Sequence, residues 1–359
     1  MVDRVTFVLP SLAAGGAQRV LLTLAAGLDR SRFAPSVVVF GGGGPWRELV
    51  ADDIPLIELN GRRLRHALFA LRKAIARDRP DFIVSTMSYA NLSLLLLRPF
   101  LPRSSKIIVR EANTTIRERQ SGLSRHVSAL LYSWLYPRAY RVISPSDVLA
   151  AELSEQLRVP RALITVLRNP VNVAQLRDMA AAPRRFPGPG RRFVAVGRLT
   201  RQKGYDRLLD LIAGCDADTH LTILGEGEER DVLTRQIREL HLDGRVSMPG
   251  FDAKAASWVA GGDALLLASR WEGLPNVALE ALACGTPVIA TPESGAIDEI
   301  CALAPPGAVT IAPIGLDFAR AMAATAINAT ARLRPSLLPA EFALDRINAQ
   351  FAQILDVAT

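Results

Sequence analysis

The stretch Ala264-Leu-Leu-Leu-Ala-Ser-Arg-Trp-Glu272-Gly-Leu-Pro-Asn-Val-Ala-Leu-Glu280-Ala-Leu-Ala-Cys-Gly285-Thr-Pro-Val-Ile-Ala290 sets two apolar runs on either side of a loop and a helix. Residues 265–268 and 287–290 are apolar almost throughout, as in strands of a parallel sheet covered on both faces. Pro275 suits the first turn of a helix, where a missing N–H costs nothing. Gly285 suits its end. Strand, helix and strand in this order make one unit of a parallel α/β sheet. Glu272 then falls in the loop at the carboxyl end of a strand, and Glu280 falls about five residues into the helix, roughly a turn and a half along the axis at about 1.5 Å per residue. Between the two acids lie the free N–H groups of the helix start, a ready site for an anion. An acid, a positive helix end and a second acid suit a ligand with hydroxyls at both ends and phosphate in the middle. Such a pair of glutamates commonly just faces solvent, so its meaning depends on the rest of the chain.

The same alternation runs from end to end. In the first half strands are expected at 5–9, 36–40, 56–59, 82–86, 107–110, 142–144 and 164–167, with helices between them. Residues 64–77 place Leu64, Leu68, Leu71 and Ile75 at helical spacing, surrounded by arginine and lysine. Residues 180–190, rich in Pro, Gly and Arg, read as a linker. A second set of strands is expected at 193–196, 221–224, 246–248, 264–268, 288–290 and 309–311. The tail, 341–357, reads as an amphipathic helix with Phe342, Ile347, Phe351 and Ile354 inward. The expected domains are therefore 1–175, a linker over 176–192, 193–340, and a C-terminal helix over 341–359.

Composition narrows the class. The 359 residues are 49% hydrophobic and 22% charged, ordinary for two globular domains. The three cysteines, Cys215, Cys284 and Cys301, are widely spaced and read as reduced thiols. The four histidines have no metal-ligand spacing, so no protein-held metal or other cofactor is expected. No run is long enough to span a membrane, and the first residues read as a strand, not a leader. Charge is uneven: residues 1–180 carry 25 Lys+Arg against 14 Asp+Glu, a net of +11, and residues 181–359 carry 18 against 21, a net of −3. A basic half points to an anionic partner, a membrane surface or a nucleic acid. With 6% aromatic residues and no recognisable RNA or DNA module, no nucleic-acid partner is expected.

Each half opens with a glycine turn after its first strand. Gly15-Gly16 leads into a helix whose start can offer N–H groups to phosphate. Gly197-Arg198, followed by Lys203-Gly204, adds two cations that can neutralise a diphosphate. Leu224-Gly225-Glu-Gly227-Glu-Glu-Arg230 resembles half of a dinucleotide fingerprint but has Arg230 where the third glycine belongs, which argues against a nicotinamide site. Gly41 to Gly44 reads as a loop, and Asp216-Ala-Asp218 as a turn before a strand.

Taken in order, Gly15-Gly16, the block from Gly197 to Gly204, Leu224 to Arg230, Gly250-Phe251 and the pair Glu272/Glu280 resemble the retaining glycosyltransferases of family 4, with the GT-B fold. The resemblance implies two Rossmann-like domains facing across a cleft, with the C-terminal helix packing back on the N-terminal domain. It implies that Arg198 and Lys203 hold the donor diphosphate and that Glu272 bonds the donor sugar. It also implies that N–H groups of Gly273, Leu274, Pro275 and Asn276 (Pro275 itself has none) line sugar and phosphate, and that Glu280 binds the ribose. Gly16 would approach the β-phosphate, Gly15 and Gly197 would also belong to the donor site, and Gly250 with Phe251 would border the base. Where the family often has a histidine after the fifth strand, this chain has Arg110-Glu111-Ala-Asn113, which puts Arg110 and Glu111 on the acceptor side. The expected reaction is transfer of a sugar from a UDP- or GDP-sugar to a hydroxyl of a lipid-linked or glycan acceptor, in cell-surface glycan synthesis. A sugar-nucleotide epimerase of the same layout is the alternative. The expected location is the cytoplasm, with peripheral contact at the inner face of the membrane through 62–79 and 98–141.

Overall fold

A computed structural model describes residues 2–13, 15–41, 43–59, 64–113, 122–184, 186, 190–328 and 332–356. The chain divides into two compact units, Met1–Pro170 with Leu344–Thr359, and Val171–Ala343.

The first unit is a parallel sheet of seven strands: β1 (Asp3–Ser11), β2 (Phe33–Gly41), β3 (Leu56–Glu58), β4 (Phe82–Thr86), β5 (Lys106–Arg110), β6 (Arg141–Ser144) and β7 (Ile164–Val166). Their order is β3-β2-β1-β4-β5-β6-β7. Between them run α1 (Gly16–Ala26), α2 (Leu64–Asp78), α3 (Ser88–Leu97), α4 (Gly122–Leu135) and α5 (Asp147–Glu155). All seven expected strands are present; the inner ones are largely apolar runs buried on both faces, while the edge strands β3 and β7 are only partly buried.

The second unit repeats the plan with α6 (Val173–Met179), β8 (Arg191–Val196), α7 (Tyr205–Ala213), β9 (Thr219–Leu224), α8 (Arg230–Glu239) and β10 (Val246–Gly250). It continues through α9 (Ala255–Gly261), β11 (Ala264–Leu267), α10 (Asn276–Ala283), β12 (Val288–Ala290), α11 (Ile297–Leu303), β13 (Val309–Ile311) and α12 (Leu316–Ala324). Its strand order is β10-β9-β8-β11-β12-β13, all parallel. The helices join the core through one stripe each. In α7 the buried residues are Tyr205, Leu208, Leu209 and Ile212, spaced i, i+3, i+4, i+7. Each buried leucine there contributes about 1.5–3 kcal/mol.

Three sequence expectations move. The first domain ends at Pro170, not at 175, and the expected linker starts inside a helix. The cause is α6, whose Val173 and Leu176 pack on the second unit's core and whose Arg177 donates to the carbonyls of Ala283 (3.2 Å) and Arg334 (2.9 Å). The C-terminal boundary falls at Ala343, not 340. Phe342 lies in the second unit's core, held by a bridge between Val171 and Ala343, so it is not part of the last helix. That helix, α13 (Leu344–Asp356), returns to the first unit. It buries Ile347, Phe351 and Leu355, with the Phe351 ring 6.1 Å from that of Phe7, while Ile354 is only half-buried. Ile354 packs against the same core from its edge, and Leu355 beside it is the fully buried residue.

Candidate active site

In both sheets the strand order reverses once, between β1 and β4 and between β8 and β11. Ligands of such sheets bind outside the carboxyl ends of the strands at that reversal. In the second unit the two chain segments leaving β8 and β11 are therefore neighbours, although far apart in sequence.

They are joined by several bonds. Arg270 N donates to Gln202 O at 2.7 Å, and Gln202 Nε2 donates to Trp271 O at 2.9 Å. Arg270 grips Asp206 at both oxygens, 2.8 Å and 2.6 Å. This holds the Asp206 carboxyl below its usual range, with the hydrogen bond from Arg270 as the main cause. Gly204, φ +66°, packs so close that a Cβ there would stand 2.1 Å from Ala268 O. On the far side a Cβ at Gly295, φ +75°, would stand 2.4 Å from Gly273 O. Only glycine lets the backbone close up at these two points.

The result is a pair at the centre. Lys203 Nζ lies 2.5 Å from Glu272 Oε1, with the two side chains 16% and 8% exposed. Ser269 Oγ donates to the same carboxylate oxygen at 2.8 Å. The Tyr205 hydroxyl is buried without a partner, and burial, with the nearby Glu272 carboxylate second, pushes its ionisation up. Arg198 is exposed, and among the described residues its side chain makes no hydrogen bond or ion pair. Pro275 is the cap of α10 and Asn276 its first residue, so the proline stands one place before the expected first turn. Pro275, as the cap residue, makes no side-chain cap hydrogen bond. Glu280 follows on the same helix, half-buried. Gly197, Gly225 and Gly250 lie side by side at the ends of β8, β9 and β10: Gly197 N bonds Leu224 O and Gly225 N bonds Gly250 O, both at 2.9 Å. Phe251, next along, is 49% exposed.

In the first unit Gly15 caps α1 and Gly16 opens it at the end of β1, with Gly15 O accepting from Trp46 Nε1 at 3.0 Å. Arg110 and Glu111 end β5, but each is only 1% exposed. Glu111 accepts from Asn91 Nδ2 (2.8 Å), Ser88 Oγ (3.0 Å) and the hydroxyl of Tyr136. Burial raises its ionisation nonetheless, and lowers that of Arg110 to about 10. Arg110 bonds Asn169 and leaves Nη1 unpartnered. Both side chains, expected on the acceptor side, are buried in the unit here: Glu111 against donors from α3 and the turn that follows α4, and Arg110 against Asn169. Ser269, Gln202, Asp206 and Arg270 are the site residues that sequence reasoning did not single out. Two of them stand inside the opening stretch, but nothing in their spacing tells which strand loop they face.

Two parallel Rossmann-like units of this strand order make the GT-B architecture, the class of glycosyltransferase folds. Anabaena HepE, solved with UDP-glucose, superposes with a TM-score of 0.78 at 21% identity, over 99% of each chain. Residues 15–170 match the glycosyl transferase 4-like domain, and residues 178–324 match glycosyl transferases group 1. The chain belongs to this glycosyltransferase family, and family 4 is consistent with both matches. One relative is the Campylobacter jejuni N-acetylgalactosamine-N,N'-diacetylbacillosaminyl-diphospho-undecaprenol 4-alpha-N-acetylgalactosaminyltransferase, 26% identical over 69% of this chain and 64% of the relative. Another is an uncharacterised glycosyltransferase of Methanocaldococcus jannaschii, 25% identical over 69% of this chain and 66% of the relative. The chain thus spans just under two thirds of these relatives.

Proposed function

We propose that the protein transfers a sugar from a nucleotide diphosphate donor to an acceptor hydroxyl, with retention at the anomeric carbon. The observation that carries this is the Lys203–Glu272 pair at the strand reversal, beside the start of α10. Arg198 and Lys203 take the charge that builds on the departing diphosphate, the term that dominates such reactions. Glu272 bonds hydroxyls of the transferred sugar, and Glu280 those of the ribose. Gly15 and Gly16 serve the β-phosphate, and Gly250 with Phe251 the base. The leaving phosphate oxygen takes the acceptor proton on the same face, so no general base is required. The reading needs no protein-held metal.

UDP-glucose in the HepE structure supports a UDP-sugar donor. The Campylobacter relative, named for a diphospho-undecaprenol substrate, supports a lipid-linked acceptor in cell-surface glycan synthesis. The epimerase alternative finds no support among these relatives. Among the described residues no helix is long and apolar enough to cross a membrane. For a lipid-linked acceptor the protein docks peripherally through its basic first unit, at the inner face of the cytoplasmic membrane. Of the segments expected to dock, residues 62–63 and 114–121 lie outside the described residues.

A panel of sugar nucleotides tested by thermal stabilisation decides the donor: a binder at 100 times its Kd adds about 2.7 kcal/mol. Stabilisation by none of the UDP- or GDP-sugars sinks the proposal. Product formed from the donor alone, an epimer, would favour the alternative.

A further inference from the structure

At the amino ends of β5 and β6 in the first unit lies a concavity of about 420 Å³ lined by Arg98, Arg103, Lys106, Arg138 and Tyr140 among others, with no acidic residue in its wall. Arg98 is held in place by its Nη atoms, which donate to the carbonyls of Pro102 and Arg103 at 3.1 Å each. Arg138 lies over the Trp134 ring at 4.2 Å, and Lys106 Nζ lies over Phe82 and Tyr140 at 5.6 and 5.5 Å. These contacts fix the cations without cancelling their charge. Among the described residues none of the four has a carboxylate partner. Elsewhere in the same unit Arg30, Arg32 and Arg47 pair with Asp53, Asp356 and Glu58. Four unneutralised cations sharing one wall repel one another, and an anion that enters removes that cost.

The surroundings say which anion. Phe100, Leu130 and Trp134 stand 63%, 69% and 57% exposed. Leu130 and Trp134 are four residues apart on α4 and share a face, with Arg138 one turn further on. Arg72 lies over Phe100 at 5.8 Å. A soluble phosphate has no use for exposed Leu, Phe and Trp beside it. A bilayer does, because aromatic rings settle at headgroup level while arginine reaches the phosphates.

We propose that this pocket binds the headgroup phosphate of an anionic phospholipid, with Trp134, Leu130 and Phe100 resting among the upper acyl chains. The proposal deepens the membrane-docking part of the proposed function and rests on it. It also separates docking from chemistry, because the pocket is at the amino ends of the strands and the candidate site residues are at the carboxyl ends.

The test is co-sedimentation at low salt with vesicles of phosphatidylcholine alone or mixed with phosphatidylglycerol. The full chain is compared with Arg103→Ala/Arg138→Ala and with a control pair outside the pocket, Arg158→Ala/Arg161→Ala. Wild type binds only the mixed vesicles. The pocket pair binds roughly 30-fold less, a factor of about five for each cation at an anionic surface, and the control pair loses about two-fold or less. Arg103→Gln/Arg138→Gln carries the same expectation if the alanine pair melts early. No wild-type binding to mixed vesicles removes both docking and pocket. Undiminished binding by the pocket pair, or equal loss in the control pair, removes the pocket and leaves docking standing. Stabilisation by inorganic phosphate without vesicle binding, or RNA binding lost in the pocket pair, also overturns the lipid assignment.

Discussion

Lys203 and Glu272 are 69 residues apart in the chain and 2.5 Å apart in space. They meet because β8 and β11 are hydrogen-bonded neighbours at the reversal of strand order, so the loops that leave them share one place. On the proposed function, a cation for phosphate and an acid for sugar hydroxyls hold each other in position, and an entering donor is expected to exchange this contact for two of its own.

Among the described residues Arg198 has no such partner, so its removal tests charge stabilisation without a folding cost. Arg198→Ala is expected to lower turnover by roughly 10²–10³, the loss of about 2.7–4 kcal/mol of stabilisation at a developing oxyanion. The melting temperature should hold. Unchanged turnover in steady-state assays with the identified donor would remove Arg198 from the site.

Asp206 and Arg270 act one step back. Their side chains are 38% and 25% exposed, so the pair adds at most about 1 kcal/mol to stability. Its value is positional, since Arg270 sits between Ser269 and Trp271 in the loop that presents Glu272. Asp206→Asn should lower kcat by about tenfold or more with little change in melting, and Asp206→Glu should recover part of it. Loss of stability and activity in proportion would mean an ordinary structural contact.

Much of this architecture could be read from the chain, and the reason is physical. A strand covered on both faces must be an apolar run, so 82–86 and 288–290 appear in the sequence as they appear in the fold. A residue's neighbour across the sheet is not written in its own segment. Nothing around Asp206 announces Arg270, and nothing around Lys203 announces Glu272 except the order of motifs that resembles the family's. Phe342 looked like the first inward residue of the last helix because its spacing to Ile347 is nearly helical. Arg110 and Glu111 are expected on the acceptor side only because they stand where the family often has a histidine. Their burial goes with Asn91 from α3, Tyr136 from the turn after α4 and Asn169 from the segment after β7, which no local pattern encodes.

Gly204 tests the close approach of the two loops. A Cβ would meet Ala268 O at 2.1 Å, and the φ of +66° is itself costly for other residues. Gly204→Ala should destabilise the protein by about 1–3 kcal/mol or more and reduce turnover, since Ala268 precedes Ser269. An unchanged denaturation midpoint would show that the loops can part without cost.

Charge on the leaving diphosphate is assigned to Arg198, Lys203 and the start of α10. Treatment with a chelator should therefore leave donor binding and turnover intact. Activity lost with EDTA and restored by magnesium or manganese would assign that role to a metal instead.

Glu111 gives a pH dependence with a definite sign. Burial raises its folded-state ionisation above that of an unfolded glutamate, so the protonated form is the one the fold favours. Its contribution to stability is full below the unfolded value, near 4.3, and is lost as pH rises through the raised folded value. The Glu111→Gln variant keeps the shape and lacks the titration. The difference in unfolding free energy, wild type minus variant, should therefore fall as pH rises from acid toward neutral, measured by urea titration at each pH. A difference that rises over that range would mean that hydrogen bonds from Tyr136, Asn91 and Ser88 outweigh burial and keep the carboxylate charged.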